Sequence, residues 1–180
     1  MRRHAPGVAA IIFAIAVLFA GCGSGVSSTE QSQQQSVSNA EESLRSRGFT
    51  KVTLRIRHAD GTVEEHCVWL SDSVTERERG LMQLSDPSLG GGDAMVFVFE
   101  EETSAVFTMK DTPQPLSIAW VDSAGAVIGT TDMDPCPPGT KSCPRYPAPR
   151  PLKMAIEMAQ GRLQDWGIGP GALVSLGDAC

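Results

Sequence analysis

An α+β fold dominated by an antiparallel sheet, built as a compact barrel or a sandwich, is what this sequence predicts. Three observations predict it. Short stretches of strand length alternate or run apolar along most of the chain; turn signals rich in Gly, Asp and Pro separate them; only one or two short stretches favour a helix.

The elements follow in order. In "KVTLRIRHADG" (51–61), Val52, Leu54 and Ile56 alternate with Thr53, Arg55 and Arg57, the pattern of a half-buried strand, and Asp60-Gly61 is a hairpin turn. "TVEEHCVWLSD" is the returning strand. "SVTERERGLMQLSD" (73–86) changes period: Ser73 and Glu76 make a capping box for a helix whose apolar face is Leu81, Met82 and Leu84. "AMVFVFEE" (94–101) is apolar on both faces and therefore a central strand. "SAVFTMKDT" (104–112) is the next strand, ended by Pro113 and Pro115. Leu116–Val121 and Ala126–Thr131 form a hairpin about Asp122-Ser123-Ala124-Gly125. Seven prolines between Pro135 and Pro151 mark a surface loop. "KMAIEMAQG" is assigned as a strand because Met154, Ile156 and Met158 alternate. "RLQDWG" is a short helix closed by Gly167, and "IGPGALVSLG" a turn and a last strand.

Before this domain the chain has a different character. Met1–His4 is basic, and Val8–Ala20 is an unbroken apolar run, too short for a typical membrane span of ~20 residues but suited to a secretory signal. It ends in "LFAGC", which resembles a bacterial lipobox. Residues 1–21 therefore read as a lipoprotein signal peptide and Cys22 as the acylated residue, which would anchor the chain in a bilayer. Residues 22–43 are rich in Ser, Gln and Gly and read as a flexible tether; residues 44–180 are one domain. The expected location is outside the cytoplasm of a bacterial cell.

Removing Met1–Gly21 takes away Arg2 and Arg3 and no acid, so the formal charge falls from −6 to −8. That argues against nucleic acid as a partner. An exported chain with four further cysteines, Cys67, Cys136, Cys143 and Cys180, reads as disulfide-bonded. Four cysteines allow three pairings. Proximity favours Cys136 with Cys143 across a Pro-Pro-Gly turn, leaving Cys67 for Cys180. Zinc would want C-x₂₋₄-C spacing and a redox dithiol C-x-x-C.

Several of these segments, "TERERGLMQL", "AMVFVFEE", "FTMKDTPQPLSIAWVDSAGAVI", "MDPC…CPRYP…MAIEMAQG" and "GIGPGALV", together resemble the domain of unknown function 192 family from Cys67 to about Leu176. The resemblance implies a small, mostly β domain, often exported, and implies no activity. The family pattern Met-Lys-Asn-Thr reads Met109-Lys110-Asp111-Thr112 here, and Ser117 stands where the pattern Pro-Leu-Asp-Ile has its Asp.

Lys110 and Asp111 precede a proline turn, and with Asp122, Arg145 and Tyr146 they are a candidate polar site for a sugar or peptide; as ordinary strand-end residues they would only bond a turn. Arg77, Glu78 and Arg79 read as a solvated helix face. The methionines suit Cu(I) chemically, but their alternation with core residues makes them packing elements. No G-x-S-x-G and no H-E-x-x-H is present, so no catalytic residue is assigned, and neither a metal nor a cofactor is expected. The function expected first is a monomeric, membrane-tethered binding domain for an envelope protein or glycan. A small carbohydrate-directed enzyme comes second, and a metal or redox accessory protein third. A sizeable pocket with a perturbed carboxylate would favour the enzyme, a flat apolar patch the interaction module, and free thiols the accessory role.

Overall fold

The structure is a computed structural model that describes residues 28–180. The expected signal segment and Cys22 lie outside the described residues. In chain order the elements are α1 (Ser28–Ser46), β1 (Thr50–Arg57), β2 (Val63–Ser71), α2 (Val74–Arg79), β3 (Ala94–Thr103), β4 (Val106–Thr108), β5 (Leu116–Val121), β6 (Val127–Met133), β7 (Arg145–Pro147), β8 (Leu152–Ala159) and β9 (Leu173–Ala179).

Seven strands form one sheet in the order β6-β5-β8-β3-β2-β1-β9, and β4 pairs with β7 in a separate ribbon. All neighbours are antiparallel except β2 and β3. β3 lies between β8 and β2, as its two apolar faces require. The sheet curls until its edges touch: Ala126 and Leu173 form a bridge, and the Val174 N–H donates to the Gly125 carbonyl at 2.7 Å. No ladder joins β6 to β9 along their length, so the fold is sandwich-like rather than a closed barrel.

Two apolar clusters occupy the two faces. The inner one draws a residue from each of the seven strands, among them Leu54, Val68, Val96, Ala119, Val127, Ile156 and Val174, and Trp166 closes it. The outer one holds Trp69, Met95, Phe97, Met109, Ile118 and Met133 under α1, α2 and the loops. Both clusters, the seven-stranded sheet and both disulfides are formed among residues 28–180.

α1 corrects the expected tether. Residues 22–43 are polar enough to read as unstructured, yet Ser28–Ser46 is helical. Ala40 and Leu44, four residues apart and so on one helical face, are buried in the outer cluster. A Glu41–Arg45 ion pair at 2.9 Å and the cations of Arg45 and Lys51 over the Trp69 ring add to that docking. Two anchoring side chains decide the outcome, because most helical stability in proteins comes from packing rather than propensity. The folded domain therefore starts ahead of residue 44.

Two shorter elements also differ. The strand expected over 104–112 stops at Thr108, where the chain turns and Thr112 N–H donates to the Met109 carbonyl at 2.9 Å. "RLQDWG" is a run of tight turns rather than a helix, with bonds from Arg162 to Ala159, Asp165 to Arg162 and Gly167 to Gln164. Its Leu163 and Trp166 are buried under the inner cluster, so packing, not helical hydrogen bonding, sets its path.

The capping box holds as expected. The Ser73 hydroxyl accepts from Glu76 N–H at 3.2 Å, and the Glu76 carboxylate accepts from Ser73 N–H at 3.0 Å. α2 ends at Gly80, whose φ of 44° lies in the left-handed region; a Cβ there would sit 3.1 Å from the Phe97 ring. Glycine thus lets α2 lie close against β3.

Candidate functional site

A cleft of about 410 Å³ opens between α2, the outer end of β3 and the β4–β7 ribbon. Phe97, Phe99 and Phe107 wall it. Phe107 meets the other two edge-to-face, with centroids 5.9 and 6.5 Å away, so the aromatic wall is mutually braced. Val74 on α2 and Val106 on β4 stand at the rim, 63% and 45% exposed, two of the few large apolar side chains left in solvent. Arg77, expected on a solvated face, is half-buried: its guanidinium lies 5.2 Å above the Phe99 ring and donates to the Val98 carbonyl at 2.8 Å and to the Asp72 carbonyl. It fastens α2 to β3, leaving Glu78 and Arg79 at the mouth.

Glu157 forms part of the cleft lining. It sits on β8 between Met95 of β3 and Ile118 of β5, in register with both. The residue is 6% exposed, and its carboxyl oxygens are not among the fully buried polar atoms left without a partner; they border the cleft. Burial alone pushes its pKa up to about 8, so the group is mostly neutral at pH 7 and presents an O–H to whatever enters the cleft. The sequence reading passed over this residue. Met154, Ile156 and Met158 face the inner cluster, and Ala155 and Glu157 lie on the opposite face of the strand. The signal was an acid in a strand whose other residues after Lys153 are all apolar.

The five residues of the expected polar site do not converge. Asp111 adopts a φ of 55° in a turn held from two sides: Gln83 N–H donates to its carbonyl at 2.8 Å, and Cys136 N–H to the Thr112 carbonyl at 2.9 Å. Met109 and Thr112 of this turn line the cleft, while Lys110 lines a neighbouring groove with Arg145. Tyr146 stands opposite Phe107, and its hydroxyl accepts from Asp134 N–H at 3.0 Å. Asp122 belongs to the β5–β6 turn. Its carboxylate accepts from Ala124 and Ala126 N–H at 3.0 and 2.9 Å and from Arg150 at 3.0 Å, which is the work of a turn residue. Ser117 faces Asp132 across the β5–β6 ladder and donates to its carboxylate, while Gly161 N–H donates to Ser117 at 2.9 Å.

The cysteines pair as Cys67–Cys180 and Cys136–Cys143, with Cα separations of 5.9 and 5.8 Å. Met95, Met109, Met133, Met154 and Met158 are buried in the two clusters, where they act as packing.

The profile of the family DUF192, described as Uncharacterized ACR, matches residues 55–176. The chain belongs to this family. The cleft, from Val74 to Glu157, lies wholly inside the DUF192 span, as does the Cys136–Cys143 loop; α1 and Cys180 lie outside it. No curated protein matches the chain. Two solved structures resemble this DUF192 fold. One, from Sinorhizobium meliloti 1021 and provisionally assigned as a transcription regulator, is 23% identical with a TM-score of 0.58, over 71% of this chain and 95% of its own. The other, a protein of unknown function from Novosphingobium aromaticivorans DSM 12444, is 25% identical with a TM-score of 0.58, over 69% and 84%.

Proposed function

We propose that the chain is a lipid-anchored, extracytoplasmic binding domain and that the cleft beside α2 takes its ligand, a segment of an envelope glycan or peptide. The observation that carries the reading is Glu157: a largely buried carboxyl group lining an aromatic-walled cleft. Its carboxyl group borders the cleft, so a ligand offering a hydrogen-bond acceptor can meet the protonated form. The phenylalanines supply an apolar face for a sugar ring or an apolar side chain, and Val74 and Val106 extend that face outward. The anchor is supported by the basic start, the apolar run and "LFAGC" ending at Cys22.

The test has two parts. Residues 28–180 are titrated with N-acetylated cell-wall saccharides and with short peptides while the Glu157 carboxyl carbon and the Phe97, Phe99 and Phe107 ring signals are followed by NMR. Saturable shifts at both sets of signals are expected; no response to either class would sink the cleft reading. The full chain, expressed in a bacterium, is expected in the membrane fraction, and a Cys22→Ser variant in the soluble fraction.

A second reading has one specific observation behind it. A carboxyl group titrating near 8 in a cleft is what a general acid needs near neutral pH, so a carbohydrate-directed enzyme with Glu157 as acid is the alternative. Release of new reducing ends from the same saccharides, abolished in Glu157→Gln, would favour it over simple binding.

A further inference from the structure

On the other side of β4 from the cleft lies a groove of about 390 Å³ in which Lys110, Lys141 and Arg145 come together, with hydroxyls from Thr108, Thr140 and Ser142. No Asp or Glu lines it. None of the three cations forms an ion pair among the described residues. In a chain of formal charge −6 this is a local reversal of sign.

The groove is built, not incidental. Arg145 stands opposite Thr108 in the β4–β7 ladder. Lys110 forms a bridge with Cys136, and Cys136 is bonded to Cys143, so the loop that carries Lys141 is closed against the strand end that carries Lys110. A turn within that loop, with Thr140 N–H and hydroxyl both donating to the Pro137 carbonyl, shapes it further. One disulfide thus ties together the segments that carry the three cations. Gathering three like charges is unfavourable unless an anion answers them. A guanidinium fork beside two ammonium groups offers more donors than one carboxylate accepts, and suits a doubly charged tetrahedral group.

We propose that this groove binds a phosphate group, either of a soluble phosphorylated compound or of a phospholipid headgroup. The inference does not depend on the cleft reading: the two hollows share Val106, Phe107 and Thr108 of β4, but Lys110, Lys141 and Arg145 line only the groove. On this view the Cys136–Cys143 staple organises a binding loop rather than merely stabilising one.

The experiment uses residues 28–180, oxidised and without an acyl chain, beside the variant Lys110→Ala/Lys141→Ala/Arg145→Ala. In one arm glycerol 3-phosphate is titrated and the lysine and arginine side-chain NMR signals are followed. In the other, sedimentation with phosphatidylglycerol vesicles is compared with phosphatidylcholine vesicles. Saturable binding of glycerol 3-phosphate, weakened about tenfold or more in the variant and reduced by added salt, supports a soluble phosphate ligand. Sedimentation with phosphatidylglycerol only, lost in the variant, supports a headgroup. Binding in neither arm, or binding that the variant leaves unchanged, overturns the proposal. All three substitutions are at exposed positions, so the variant is expected to fold.

Discussion

Glu157 lies directly opposite Ile118 on the neighbouring strand, which places a carboxyl group in the outer cluster's sheet face with an apolar partner. Burial raises its pKa to about 8 from an ordinary value near 4.5. Between those values the unfolded chain releases the proton and the folded chain keeps it, so stability falls as pH rises from about 4.5 to about 8 and then levels off. Glu157→Gln is expected to remove most of that slope and to stabilise the fold at pH 8. Urea midpoints measured from pH 5 to pH 9 check it; an unchanged slope in the variant would place the pH dependence elsewhere.

The two disulfides differ in the length of chain they close. Cys136–Cys143 spans 7 residues and Cys67–Cys180 spans 113. Loss of the first (Cys136→Ser/Cys143→Ser) is expected to cost about 2–3 kcal/mol and loss of the second (Cys67→Ser/Cys180→Ser) about 4–5 kcal/mol. Denaturant unfolding under non-reducing conditions ranks the pair, and the reverse order contradicts the expectation.

Leu44 is fully buried where α1 meets the outer cluster. Leu44→Ala is expected to cost ~2–5 kcal/mol, whereas Gln34→Ala, on the exposed part of the same helix, changes stability by less than about 0.5 kcal/mol. Equal, small effects at both positions would mean that α1 is not docked.

The capping box at Ser73 starts the helix that forms one side of the cleft. Ser73→Ala is expected to cost ~1 kcal/mol. Because α2 is only 6 residues long, the loss is expected to show first as faster amide exchange at Glu76 and Arg77. Protection unchanged at those amides would show that Arg77, not the cap, holds α2 in place.

Much of the architecture was legible because it rests on local signals. The alternation of Val52, Leu54 and Ile56, the double-faced apolar run at 94–99, the Asp122–Gly125 turn and the Ser73–Glu76 box each act within a few residues. What was not legible depends on distant partners. α1 needed Ala40 and Leu44 to find Trp69 and its neighbours; the turns at 161–167 needed Trp166 to find the inner cluster. The candidate site was only partly legible for the same reason. Lys110 and Arg145 do share a groove, but Asp122 is bound to its own turn, and the residue that defines the cleft, Glu157, looked like one more position in a core strand.

If the chain is lipid-anchored as proposed, α1 also bears on how the domain is carried. A slack 22-residue leash would let the domain roam in a hemisphere above the bilayer. A helix of 19 residues, about 28 Å long and clamped to the sheet at its far end, behaves instead as a strut. On the proposed anchoring at Cys22, the docking of α1 would leave only the residues ahead of Ser28 between the lipid and the folded part, a much shorter reach. Whatever the cleft and the groove bind would then have to come within that shorter reach.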